Sequence, residues 1–312
     1  MLDVTIAEHE IKIGPRFSVT FQRTLRIPDD GGVYPLPPGL GVFPILKVAD
    51  YADRVPAHWN RDSALIPMYQ REALWLGFDG DGWKPNAVQI AIGGVNALSG
   101  ETFEETLRSD PQNYIVAPDQ PWLDGINAGS ETIRQFVAMP LGLGYTVEAS
   151  ITGREDFGGI QIRVVEPKAG IFPDKPPSGN PGFAPRRAVF AEPEMGLGAG
   201  GVMRQKVYPD NHGIEVWDQD NFGEVFIHIV NSAQFEEITG RAAPASPVDA
   251  KAYTDYGFPW FALYDEHLGD VAASERLSAV RTISKRDSER GHMAGNTDSV
   301  DVSNDQIRKL RF

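Results

Sequence analysis

Apolar and polar positions along this chain change over short distances. Runs rich in β-branched and aromatic residues recur between turn formers, and the period is nearer two than 3.6, the signature of half-buried strands. This pattern predicts strands over residues 16–27 (RFSVTFQRTLRI), 87–93, 113–117, 132–139, 145–152, 159–166, 202–208 and 223–231. The stretch GREDFG joins 145–152 to 159–166 and reads as the loop of a β-hairpin. Helical signals are fewer. They cover residues 103–108, 232–239 closing on Gly240, 246–256 with Pro247 in its first turn, and 271–284. The fold class expected from this pattern is mainly β, or α+β: an antiparallel β-sandwich or barrel-like core with short, peripheral, mostly C-terminal helices.

Residues 167–201 break the periodicity. The segment PDKPPSGNPGFAP within it offers almost nothing to bury, so 167–201 is either a Pro/Gly-rich linker or a long loop. It would divide a β-rich region at 1–166 from strands and helices at 202–286, which could share the same domain, followed by a polar tail at 287–312. GLGAGG, at 196–201, lacks the preceding strand and following helix of a dinucleotide fingerprint and reads as a flexible loop.

Composition narrows the functional classes. Hydrophobic residues make up 41% of the 312, which suits a globular chain with a sizeable core. The formal charge of −14 repels nucleic acid and anionic lipid, so neither is expected as a main partner. The chain has no cysteine, which removes thiolate metal sites, disulfides and cysteine nucleophiles and suits a cytoplasmic location. No run approaches the roughly 20 apolar residues of a membrane span.

Several blocks together carry a resemblance: RTLRIPDDGGVYPLPPGLGVFP (23–44), IPMYQREALWLGF (66–78), PDQPWLDGINAG (118–129), IRQFVAMPLGLGYTVE (133–148), and WDQDNFG with FIHIVNS (217–232). The chain resembles, nearly end to end, a family of bacterial and fungal proteins of similar length, some loosely labelled as integral membrane proteins. The resemblance implies no activity, cofactor or catalytic residue. The membrane label conflicts with the sequence, whose longest apolar stretch, 136–145, is about half a span and is broken by Pro140, Gly142 and Gly144.

Candidate chemistry falls into three clusters. No G-x-S-x-G elbow and no phosphate-binding loop is present; Ser99 and Ser178 stand in ordinary turn contexts. In WDQDNFG, Asp218, Asp220 and Gly223 match the first, third and sixth positions of a calcium loop, with Gly223 at the sharp turn. Phe222 and Ile229 break that pattern at the fifth and twelfth. A hairpin between 202–208 and 223–231 would gather His212, Glu215, Asp218 and Asp220 on one rim, a base with orienting carboxylates. The competing structural reading is a polar loop, with His228 a satisfied histidine on a half-buried strand.

The third cluster is aromatic and acidic. Tyr114, Asp119, Gln120, Trp122 and Asp124 crowd into NYIVAPDQPWLDG, and Trp75 and Trp83 flank FDGDG as a second platform. Exposed Trp beside short polar side chains grips a sugar or a protein surface; buried, the same rings are core. The leading expectation is therefore a soluble, non-catalytic protein that binds a small-molecule or glycan ligand, or assembles with itself, through aromatic and Pro-rich loops. The alternative is a hydrolase-type enzyme on a β scaffold, using the His212 group or Asp119 and Asp124, with a divalent cation such as calcium.

Overall fold

The computed structural model describes residues 1–175, 195–245, 248–263, 269–292 and 299–310. Among the strands of the described residues, eight organise the sheet: β1 (Phe17–Thr24), β2 (Ala64–Pro67), β3 (Ala73–Asp79), β4 (Asn86–Ile92), β5 (Thr132–Pro140), β6 (Ile160–Pro167), β7 (Met195–Arg204) and β8 (Trp217–Val230). β1 runs antiparallel to β3, β3 to β5, and β5 to β7. β7 meets β8 at Met195 and Ile229; β8 then pairs with β6, and β6 with β4, again antiparallel. β2 adds to β8 in parallel, with Ala64 opposite Ile227. The fold is thus mainly antiparallel β, with few short helices, as the alternation predicts.

Alternation explains how this sheet acquires an inside. Phe21, Leu74, Leu76, Phe136 and Leu197 from one part of it, and Val88, Ile90, Ile162, Val164 and Ile227 from the other, belong to one buried cluster. β4 is buried at every position, as expected of a strand covered on both faces. β3 is different: Leu74, Leu76 and Phe78 point inward, while Trp75 and Gly77 between them are only half-buried and mark its outer face.

Among the described residues five α-helices lie outside the sheet: α1 (Val147–Thr152), α2 (Ser232–Thr239), α3 (Ala250–Asp255), α4 (Glu275–Ser278) and α5 (Ile283–Glu289). Four follow β8, in keeping with the expected C-terminal bias. The expected hairpin at 145–166 is corrected: its first arm is helix α1. The Thr146 hydroxyl accepts from the Ala149 N–H at 3.0 Å, and Gly153 closes the helix in the left-handed region at φ 75°, so caps override the β-branched run YTVEASIT. The Glu148 carboxylate accepts N–H groups from Asp156, Phe157 and Gly158, folding GREDFG back onto α1.

Residues 103–108 do not form the expected helix. Their carbonyls bond elsewhere: Gln89 Nε2 donates to Glu104 and Thr106, and Asn113 Nδ2 to Thr106. The helix expected over 271–284 is replaced by the single turn Glu275–Ser278 and, after a break, the first two residues of α5, Ile283 and Ser284. The helix expected at 246–256 is confined to Ala250–Asp255; residues 246 and 247 lie outside the described residues.

GLGAGG is a strand, not a loop. It occupies the middle of β7, opposite Val137 and Phe136, and its glycines allow close approach. A Cβ at Gly201 would sit 2.1 Å from the Pro28 carbonyl oxygen, and one at Gly198 would sit 3.0 Å from the Tyr145 carbonyl. Strands from both sides of 167–201 lie in one sheet, although 176–194 falls outside the described residues. Of the tail, Ile307–Leu310 pairs in parallel with Trp260–Leu263, and Val300 and Val302 pack on the cluster around Trp260.

Candidate functional site

The outer face of the β1–β3 ladder carries the best-formed aromatic site. Trp75 lies opposite Gln22, and Gly77 opposite Thr20. The short strand Trp122–Leu123 extends this face by pairing with β3, placing Trp122 opposite Gly77. Gly77 makes room for the indole of Trp75: a Cβ there would come within 3.0 Å of that ring. Trp75 and Trp122 consequently meet edge to face, with centroids 6.4 Å apart and planes at 65°.

A strap formed by residues 36–39 crosses the pair, and Leu36 exchanges both backbone hydrogen bonds with Phe261. Between strap and sheet lies a cleft of about 340 Å³, lined by residues 36–39, Trp75, Trp122, Asp124 and Phe261. Trp122 and Trp75 are half-buried, so both rings are accessible. A larger cavity of about 670 Å³ adjoins it across the Leu36–Phe261 bridge, bounded by Tyr34, Arg204, Lys206, Val300 and Ile307.

Among the described residues lining the aromatic cleft, Asp124 has the one ionisable side chain. It is buried, accepts from Gln205 Nε2 at 2.8 Å and from the side chain of Trp122, and its own N–H donates to Gln205 Oε1 at 2.9 Å. Burial raises its carboxyl to about 7, although donation by Gln205 and Trp122 pulls in the opposite direction. Among the described residues no Lys or Arg forms an ion pair with it.

The other residues singled out from the sequence are dispersed. Tyr114 is buried, not exposed. Its hydroxyl donates to Asp210 Oδ2 at 2.6 Å, the oxygen that also accepts from Trp217 Nε1 at 2.9 Å, and burial, then the Asp210 bond, pushes its pKa up. Gln120 is buried against the backbone of Trp122 and Lys206. Trp83 does not share a platform with Trp75; the Arg16 guanidinium lies 5.8 Å from its ring centre, and Arg16 also pairs with Glu166. Trp75 pairs with Trp122 instead.

The acidic rim is likewise different from its expected geometry. His212 Nε2 is 3.8 Å from exposed Asp119, outside hydrogen-bond reach, and its ring meets Phe172 and Trp217 edge-on. Asp218 stands opposite Glu166 within the β6–β8 ladder, while Glu215 and Asp220 are exposed. Gly223 is no sharp turn; it lies within β8, opposite Val164. Among the described residues no group of three or more His, Asp or Glu side chains is placed to hold a metal ion.

His228 packs flat on Trp59, with centroids 3.6 Å apart and planes at 9°, in a separate cavity that also touches His58. Its Nε2 is buried without a hydrogen-bond partner, so the expected satisfied histidine is corrected to a stacked one with an unpaired ring nitrogen. Burial, and then the neighbouring His58, lowers its pKa to about 3.

Gln205, Phe261 and the 36–39 strap are the site residues that sequence reasoning missed. The YPLPPGLG run was the available signal, because consecutive prolines hold an extended strap that presents carbon surface. Comparison with family models, curated proteins and solved structures finds no match for this chain. No helix among the described residues is long and apolar enough to cross a membrane.

Proposed function

We propose that this protein is a non-catalytic binding protein whose ligand site is the cleft between the 36–39 strap and the Trp75–Trp122 pair. One observation carries the reading: two accessible indoles, which most folds would bury, are held at a fixed angle around a cleft with a buried carboxyl at its edge. The cleft's volume, about 340 Å³, suits a small organic molecule. Gly39 supports the same reading. A Cβ there would stand 3.5 Å from the Trp75 ring, so glycine keeps that ring open.

Ligand-observed saturation-transfer NMR with a library of small cyclic and aliphatic fragments tests the proposal. Wild-type protein should bind a subset of fragments, and Gly39→Leu, which lays a side chain over Trp75 without removing either indole, should abolish their signals while remaining folded. Fragment binding that survives Gly39→Leu unchanged places the ligand elsewhere and overturns the reading.

A further inference from the structure

The composition of the cleft narrows its ligand. Among the described residues of the lining, Asp124 is the one ionisable side chain and the indole N–H groups are the other polar side-chain groups, whereas a sugar ring needs several donors and acceptors around its rim. A metal ion would need several oxygen ligands, and an anion would meet a carboxyl. An uncharged hydrocarbon satisfies the walls but leaves Asp124 with no counterpart. The side chains holding Asp124, Gln205 and Trp122, are both neutral donors.

Aromatic rings attract a cation through the negative potential of their faces, and best when the cation's charge is spread over alkyl groups that shed water cheaply. Trp75, Trp122 and Phe261 supply rings, the strap prolines supply carbon surface, and Asp124 supplies the opposite charge. Resting on the binding reading above, we infer that the cleft takes an organic ammonium ion, an alkylated amine whose carbon substituents contact the rings while its charge is matched by Asp124. The chain's charge of −14 draws such a cation toward the surface at long range.

Choline and its uncharged carbon isostere, in which a tert-butyl group replaces the trimethylammonium head, probe this directly by calorimetric titration of the full chain at pH 8.5, where the Asp124 carboxyl is ionised. Choline should bind at least about tenfold more tightly than the isostere. Asp124→Asn keeps the shape and the acceptor for Gln205 and should bring the two probes to within a few-fold of each other. Trp75→Leu, which leaves Asp124 and its donors untouched, should weaken choline by about tenfold and provides a second route if the Asn variant folds poorly. Equal binding of both probes to the wild type, lost in Gly39→Leu, would overturn the ammonium inference and leave the aromatic cleft standing. Absence of choline binding would also overturn it; the cleft is then judged by the fragment screen alone.

Discussion

Asp124 concentrates the electrostatics of the site in one carboxyl. Its ordinary value is 3.8 and burial lifts it to about 7, so between those limits the folded protein holds a proton that the unfolded chain has released. Stability from this group is complete below pH 3.8 and is lost as pH rises toward 7, at up to about 1.4 kcal/mol per pH unit. Thermal melts of wild type and Asp124→Asn should therefore show the wild-type advantage shrinking from pH 4.5 to pH 8; a constant difference contradicts a shifted carboxyl. His228 titrates in the opposite sense: its value is depressed from 6.5 to about 3, so the contribution it makes above pH 6.5 is lost as pH falls toward 3. Nitrogen-detected imidazole NMR should find His228 neutral at pH 5, and a protonated ring there would contradict its burial against Trp59. Trp122 and Asp124 were legible in the sequence because they are neighbours in PWLDG. Gln205, some 81 positions further along the chain, was not, since only the sheet brings it to Asp124.

At the scale of elements, the sequence reading found β1, β4, β5 and β6 but missed β2 and β3, although Leu74, Leu76 and Phe78 alternate with less buried positions along β3. It also failed where a single cap or a small residue decided the outcome. The run YTVEASIT favours extended backbone by composition, yet Thr146 and Gly153 close it into α1. Replacing Thr146 by Val should lower stability by about 1 kcal/mol in chemical denaturation, and an unchanged midpoint would show that the cap contributes nothing. GLGAGG looked like a loop because it lacks the preceding strand and following helix of a dinucleotide fingerprint. What decides its state is the crowding around it: Gly201 faces the Pro28 carbonyl and Gly200 faces Val137. Gly201→Ala should cost more than Gly142→Gln, because a Cβ at Gly142 meets nothing within 4 Å and the added side chain pays only for the positive φ of 79°. Equal destabilisation would contradict close approach as the reason for the glycine.

The whole molecule depends on long-range ties that periodicity cannot show. Arg71 and Asp287, 216 positions apart, form a two-pronged ion pair at 2.7 and 2.8 Å, and the Tyr145 hydroxyl donates to the same carboxylate at 2.7 Å. This triad fastens α5 to the sheet, as Arg134 does for the end of α4 by donating to the carbonyls of Leu277, Ser278 and Val280. The site has the same character, since its walls come from residues 36–39, 75, 122, 124 and 261. The mainly β class was readable from alternation; the assembly of this cleft was not, because it forms only when the strap, β3 and the C-terminal segment meet. The most direct test of the account uses its six tryptophans. With fluorotryptophan incorporated and each resonance assigned by substitution, fluorine NMR during a choline titration should shift Trp75 and Trp122 together and leave buried Trp217 and Trp260 in place. Saturable shifts centred on Trp59 or Trp83, or none at all, would contradict a ligand site between the strap and the Trp75–Trp122 pair.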